Sequence, residues 1–290
     1  MTPSLFLIKC YNKLKYYIGL CRKNLSNPSE YIDTKKFIRG MNCKSRCLKM
    51  KNSRFVNASG ATGSSFSTAH DLTLLCKTAI KFDAILDMWQ TNTKTIKIKG
   101  PNQRDVEVKN LVFERATKGM KKFLIGGKSG SWGSINRSHV FYVNVDGEYF
   151  IISIMSNDIV SFEKIYVIAS ELIQSISIHE YGYYTKNLIK CGGGFSVVNC
   201  KTNIAILQHE QNRKMIPASV TKVLTAICAL ESKVPLETVV KVSAFDILGG
   251  SGSNYYPNDE LSLSDALYAM MMESSNTLAN SIARTIGSNM

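Results

Sequence analysis

A chain of 290 residues and 32.3 kDa suffices for one large domain or two ordinary ones around a sizeable core. Its 44% hydrophobic and 20% charged residues describe a globular protein and exclude disordered, fibrous and low-complexity classes, and no apolar run reaches the ~20 residues of a membrane span. The net charge of +14 is uneven: residues 1–54 hold 13 Lys/Arg against Glu30 and Asp33 and carry +11 of it.

Residues 1–33 read as an irregular basic extension with Asn27-Pro28 as a breaker. Such an arm either stays solvated or meets nucleic acid, an anionic lipid surface or an anionic polymer. No recognition-helix pattern, RNA-binding aromatic motif or zinc-finger spacing supports nucleic acid, so none is expected as a partner. The apolar run Ser4–Ile8 is followed at once by Lys9, Lys13 and Lys15, the reverse of the order in a secretory signal. Residues 34–54 read as helix and then turns, and 55–67 as loop. Thr68, with Asp71 three residues on, caps a helix whose apolar face is Leu72, Leu75, Cys76, Ala79 and Ile80.

Residues 93–99 alternate as a strand, and Lys122–Ile125 is a short strand ending at Gly126-Gly127. Residues 139–145 and 149–155 form a hairpin turned by Asp146-Gly147. An amphipathic helix spans 162–175. After Gly192-Gly193-Gly194, a second hairpin pairs Phe195–Asn199 with Ile204–Gln208. Pro217 opens a helix to about Glu231. A last helical region, Ser264–Met272, breaks at Ser274-Ser275-Asn276 and resumes over 277–286. Hairpins interspersed with helices predict an α/β (α+β) fold, an antiparallel sheet flanked by helices.

The eight cysteines (Cys10, Cys21, Cys43, Cys47, Cys76, Cys191, Cys200, Cys228) show no disulfide framework. His70, His139, His179 and His209 fall in no metal-ligand spacing, so no metal or organic cofactor is expected. The chemistry lies in three short motifs. In Ser219-Val-Thr-Lys222 the hydroxyl and the amine share a helix face one turn apart. A serine is a weak nucleophile until a neighbouring base takes its proton, and a lysine in a dry site near other cations can be that base. Ser274-Ser275-Asn276 sits between two helices, where a hydroxyl and an amide two apart can relay a proton and hold a substrate amide. Gly126-Gly127-Lys128-Ser129-Gly130 ends a strand, offers a charge and a hydroxyl to an anion, and lacks P-loop spacing. Each motif alone has a plain alternative: a capping serine with a solvated lysine, a polar helix–helix turn, a glycine turn.

Together the three resemble the Ser-x-x-Lys, Ser-x-Asn and Lys-Thr/Ser-Gly motifs of the penicillin-recognising serine enzymes. Ala218–Ala226 and Leu261–Ala283 resemble the corresponding segments of D-alanyl-D-alanine carboxypeptidases of the low-molecular-mass penicillin-binding protein type. Phe55–Gly60 with Phe66–Leu72 resembles that family's stretch between its second and third motifs. The resemblance covers about residues 36–175 and 190–290, but the order is reversed: the family begins with the serine. It implies a circularly permuted β-lactamase/transpeptidase-like domain over 34–290, with 34–175 as the family's C-terminal half and 190–290 as its N-terminal half. A cut across two tandem copies, completed by a swapped dimer, is the alternative arrangement.

The resemblance further implies a carboxypeptidase that removes the terminal D-alanine of peptidoglycan stem peptides through an acyl-enzyme, in the cell envelope, with β-lactams as covalent inhibitors. Ser219 would be the nucleophile, Lys222 its base and Ser274 the proton relay. Asn276, Lys128, Ser129 and Gly130 would bind substrate, with the carboxylate on Lys128 and Ser129. The backbone N–H groups of Ser219 and Ser131 would form the oxyanion hole. Ser129 replaces the more frequent threonine and keeps the hydroxyl. No Glu-x-x-Leu-Asn segment of class A β-lactamases is present, which weakens that reading. A non-catalytic relative that binds cell wall, and a β-lactamase or esterase on the same scaffold, are the alternatives. The basic arm leaves membrane association open.

Overall fold

In the computed structural model, residues 28–159, 161–179 and 192–290 are described. Near-continuous apolar runs such as Phe150-Ile151-Ile152 set the central sheet, because successive side chains on a strand face opposite sides and both faces here are buried. Strands β3 (Leu124–Trp132), β4 (Asn136–Val145), β5 (Glu148–Ser156), β6 (Gly193–Asn199) and β7 (Ala205–His209) lie in that order, all antiparallel. The β4–β5 turn has φ of 53° at Asp146 and 86° at Gly147, the doubly positive pair that a two-residue hairpin needs.

Each face of the sheet carries its own core. Phe141, Val143, Phe150, Ile152 and Ile154 pack under helix α6 (Phe162–Ser177), which contributes Ile165, Tyr166, Ala169, Leu172 and Ile173. Val140, Ile151 and Met155 face the other way, onto α2 (Ala69–Ala79). That second core continues into α1 (Pro28–Cys47), α7 (Thr221–Glu231), α8 (Leu263–Met272) and α9 (Asn276–Ser288). It therefore holds residues from both ends of the sequence. Phe37, Ile38 and Met41 of α1 pack with Leu278, Ile282 and Ile286 of α9, and Lys44 pairs with Glu231. A small sheet, β1 (Thr93–Ile98) with β2 (Arg104–Lys109), touches another, β8 (Val239–Lys241) with β9 (Glu260–Ser262), through Lys99 and Glu260. Between α2 and β1 runs α3 (Asp83–Gln90), and α4 (Leu111–Arg115) and α5 (Lys118–Lys121) lead into β3. Among the described residues no helix is long and apolar enough to cross a membrane.

Several sequence-derived boundaries move. Helix α1 is already helical at Pro28, the first described residue, within a segment expected to be irregular. The last six residues of the expected 1–33 extension are thus helical; residues 1–27 lie outside the described ones. Strand β3 does not stop at Gly126-Gly127: both pair with β4, opposite Tyr142 and Phe141, and the strand runs on to Trp132. The Gly192-Gly193-Gly194 loop shortens, because β6 begins at Gly193. Thr68 caps α2 as expected, accepting from the Asp71 N–H at 3.1 Å.

A core shared by both ends of the chain unfolds as one unit. Ile151→Ala removes a fully buried side chain from the middle of β5 and should cost about 2–5 kcal/mol. Urea transitions followed by fluorescence and by circular dichroism should shift together; separate transitions for the two ends of the chain would contradict the shared core.

Candidate active site

Ser219 lies in a short 3₁₀ turn, Ala218–Val220, that leads directly into α7, and Lys222 is in the first turn of that helix. The segment before them is pinned by the other end of the chain. Met215 exchanges two 2.9 Å backbone hydrogen bonds with Ser67, and Ser138 Oγ of β4 donates to the Ile216 carbonyl at 2.6 Å. Ala218 is held at φ +46°, a left-handed conformation rare for a non-glycine residue. Gly60, at φ +75°, accommodates it: a Cβ there would stand 1.8 Å from the Ala218 carbonyl oxygen. Gly130 serves β3 in the same way, since a Cβ would fall 2.7 Å from the Ser219 nitrogen. The third-motif strand therefore lies directly against the serine turn.

The Lys222 amine is completely buried and has three oxygens around it: Ser219 Oγ at 2.8 Å, Asn276 Oδ1 at 2.8 Å and the Ser59 carbonyl at 2.7 Å. Burial pushes its pKa well below the ordinary lysine value, and the charge of Lys128 pushes it the same way. The proton arrangement follows from the partners. A carbonyl oxygen and an amide oxygen only accept, and Asn276 is oriented by its own Nδ2, which donates to the Gly249 carbonyl at 2.9 Å. A neutral amine gives its two N–H groups to those acceptors. Its lone pair is left for the Ser219 hydroxyl, the hydrogen-bonded pair that base activation of a nucleophile requires.

The second amine, Lys128 of β3, is also fully buried and donates to Ser274 Oγ at 2.9 Å and to the Ser129 carbonyl at 3.1 Å. Burial first, and the Arg115 charge second, lower its pKa to about 7. Ser274 sits at φ +70° in the turn between α8 and α9, and Asn276 begins α9. That turn is closed over by residues 249–252: the Ser251 carbonyl accepts from the Asn276 N–H at 3.3 Å, and Gly252 lies against Ser275. Glu273, just before it, accepts from Ser253 Oγ at 2.6 Å and from the Tyr255 hydroxyl at 2.9 Å.

Ser219, Lys222, Ser274, Asn276, Lys128 and Gly130 are thus brought into one site by contacts that span up to 163 residues of sequence. Ser129 faces a different neighbour, Arg115, whose guanidinium stands 3.5 Å from its Oγ. Ser131 is exposed on β3 opposite Arg137. The Ser59 carbonyl, Gly60 and Arg115 were not picked out from the sequence. Backbone acceptors carry no residue-type signal, and Arg115 lies in no motif. Among the described residues no three His, Cys, Asp or Glu side chains gather as metal ligands.

Residues 32–126 match the family model of the D-alanyl-D-alanine carboxypeptidases, and residues 181–290 match that of the Beta-lactamase enzyme family. Both halves resemble the serine peptidase and β-lactamase superfamily. The second match contains Ser219, Lys222, Ser274 and Asn276; the first contains Ser59 and Gly60 and ends just short of Lys128. The mixed α/β architecture, antiparallel sheets flanked by helices, agrees with a β-lactamase/transpeptidase-like fold. A stretch of 67 residues is 37% identical to a D-alanyl-D-alanine endopeptidase of Pseudomonas aeruginosa, covering 23% of this chain and 21% of that protein. The chain therefore spans about a fifth of the length of that curated relative. No solved structure matches the chain.

The buried amines make stability depend on pH. In the unfolded chain Lys128 stays protonated up to about pH 10.4, while in the fold it loses its proton near 7. Above pH 7 the unfolded state thus binds more protons, and stability rises with pH. Above roughly pH 8.5 buried thiols such as Cys76, whose pKa burial raises, begin to oppose that rise. Unfolding free energy from urea titrations should therefore climb between pH 7 and 8.5, and Lys128→Met should flatten the climb. An equally steep slope in the variant would locate its source elsewhere.

Proposed function

We propose that the chain is a serine hydrolase acting on peptidoglycan peptides that end in D-Ala-D-Ala, and more specifically a carboxypeptidase that releases the terminal D-alanine through an acyl-enzyme. The observation that carries this reading is the 2.8 Å contact between Ser219 Oγ and a buried Lys222 amine whose two other partners are both acceptors. Ser219 attacks the carbonyl of the penultimate D-alanine, and its proton passes to the Lys222 lone pair. The C–N bond breaks as Ser274 Oγ gives its proton to the departing D-alanine nitrogen and takes one from the Lys128 ammonium. Water then attacks the Ser219 ester and yields a proton that restores Lys128; the peptide acid leaves as Lys222 returns its proton to Ser219 Oγ. The backbone N–H groups of Ser219 and Ser131 hold the oxyanion, a role supported by the approach of β3 to the Ser219 nitrogen at Gly130. Asn276 orients Lys222 and holds the substrate backbone.

In this reading the chain is one permuted domain: residues 34–175 are the family's C-terminal half and 190–290 its N-terminal half, behind a basic extension. Supporting it, Lys128 meets Ser274 and Lys222 meets the Ser59 carbonyl within one chain, so no exchange between copies is required. The substrate puts the site of action in the cell envelope, and β-lactams acylate the same serine. A β-lactamase activity is the second reading, favoured by the family matched over 181–290.

A fluorescent penicillin should label the protein at Ser219, and Ser219→Ala should abolish labelling. Lys222→Met should slow acylation by about 10²–10⁴-fold, the usual contribution of a general base. Labelling that survives in the Ser219 variant would assign the nucleophile elsewhere. Release of D-alanine from a diacetylated tripeptide, set against turnover of the β-lactam, separates the two readings.

A further inference from the structure

We infer that a row of exposed cations along α1 and the turn after it is a docking surface for a polymer carrying many carboxylate-ended peptides, of which the reacting peptide is one; this rests on the acyl-transfer reading of the site. From 31 to 54 the exposed residues are Arg39, Arg46, Cys47, Lys49, Lys51 and Arg54, so all but Cys47 are cations. The helix explains the row. Phe37, Ile38, Met41 and Ser45 are buried, which turns Arg39 and Arg46, two turns apart, outward together. Buried Met50, whose N–H donates to the Ser45 carbonyl at 3.0 Å, fixes the turn between Lys49 and Lys51. Arg54 exchanges backbone hydrogen bonds of 2.9 and 3.0 Å with Phe66, and exposed Lys214 lies over the Phe66 ring, 5.1 Å from its centre. The row thus reaches the segment that leads into Ser219.

Among the described residues no ion pair occupies Arg39, Arg46, Lys49, Lys51, Arg54 or Lys214. Nearby carboxylates are engaged elsewhere: Asp33 by Lys36, Glu231 by Lys44, and Asp71 by the Asn52 N–H and Ser53 Oγ. Glu30 acts on Arg284. The turn before Lys214 adds one exposed acid, Glu210, and one more exposed cation, Arg213. A single surface charge is worth little and is screened by salt, but a row acts together on a polyanion. The large apolar side chains that stand exposed all lie outside residues 28–66. A bilayer surface is bound by apolar insertion as well as by charge, and a single nucleic-acid strand by stacking on aromatic rings, so the row favours neither. The reaction itself supplies a fitting partner. Each substrate peptide ends in a carboxylate, and hydrolysis of the Ser219 ester leaves a new one, so a polymer of such peptides is a polyanion before and after cleavage. Peptides held on the row raise the local concentration of their neighbours at the serine.

The test compares the intact protein with a variant carrying Arg39→Gln, Arg46→Gln, Lys49→Gln and Lys51→Gln, on a diacetylated tripeptide ending in D-Ala-D-Ala and on uncross-linked peptidoglycan strands. The variant should release D-alanine from the tripeptide at an unchanged rate and from the polymer about tenfold more slowly, the low end of electrostatic steering. Raising salt from about 20 mM to about 0.5 M should abolish the intact protein's advantage on the polymer. Arg39→Lys with Arg46→Lys keeps the charge and should keep the advantage. An equal fall on both substrates, or a polymer rate indifferent to the four changes, overturns the proposal. Cosedimentation with the polymer in the Ser219→Ala background reads docking without turnover; it should need the four cations and vanish when the polymer's carboxylates are amidated. Cation-dependent binding that survives amidation, or is equally strong on phosphatidylglycerol vesicles or duplex DNA, assigns the row to another polyanion and overturns the proposal too. Cation-dependent sedimentation of a protein that releases no D-alanine and takes no penicillin sinks the acyl-transfer reading and leaves the docking surface standing. Labelling at Ser219 without cation-dependent sedimentation does the reverse.

Discussion

Two fully buried lysine amines, with the charge of Lys128 also lowering the pKa of Lys222, are the constraint on which the rest of this structure depends. Taking an ammonium group out of water is costly, and two of them repel each other. The fold tolerates both because each amine lies among oxygens placed by distant parts of the chain: Lys222 among those of Ser59, Ser219 and Asn276, Lys128 with those of Ser129 and Ser274. Lowered pKa values complete the arrangement, since a neutral amine is far cheaper to bury. In its neutral form Lys222 also carries a lone pair, which its ammonium form lacks.

Because each amine takes an acceptor from the opposite end of the sequence, the site cannot be assembled by either end alone. The central sheet explains how both ends are held. Strands β3 to β5 come from the first part of the chain and β6 and β7 from the second, yet they form one antiparallel sheet with a core on each face. Strain collects where the parts meet. Ala218 and Ser274, both at positive φ, sit next to the reacting groups, and Gly60 has no side chain where Ala218 requires space. Such conformations persist only when packing on all sides fixes them, as the bonds from Ser67 and Ser138 do for the serine turn.

Charge organises the surroundings as well. Lys128, Arg115 and Arg137 all lower the pKa of buried His139, so positive potential gathers along one end of β3 and β4. Two of the three are committed to neighbouring oxygens, and Phe162 carries both guanidinium groups on its ring. A positive, partly dry recess beside the Ser219–Lys222 pair attracts anions.

The sequence by itself determined the strands of the 139–155 hairpin, the capped helix after Thr68, the 162–175 helix and the three motifs, because each rests on local rules: alternation, capping, turn residues and fixed spacing. It also determined that Ser219 and Lys222 meet one turn apart, although Ser219 sits in a 3₁₀ turn ahead of α7 and not on the helix itself. It did not reveal that β3 continues through Gly126-Gly127, since pairing with β4 overrides the tendency of glycine to end a strand. The helical residues 28–33 of α1, and the elements β2, α3, α4 and α5, were hidden by weak or short local patterns. Only the tertiary structure decided that Lys128 reaches Ser274, that a backbone carbonyl at Ser59 completes the shell of Lys222, and that Arg115 stands beside Ser129. The first two of those contacts join residues 146 and 163 apart in the chain, and the last two use groups that no spacing rule distinguishes from their neighbours.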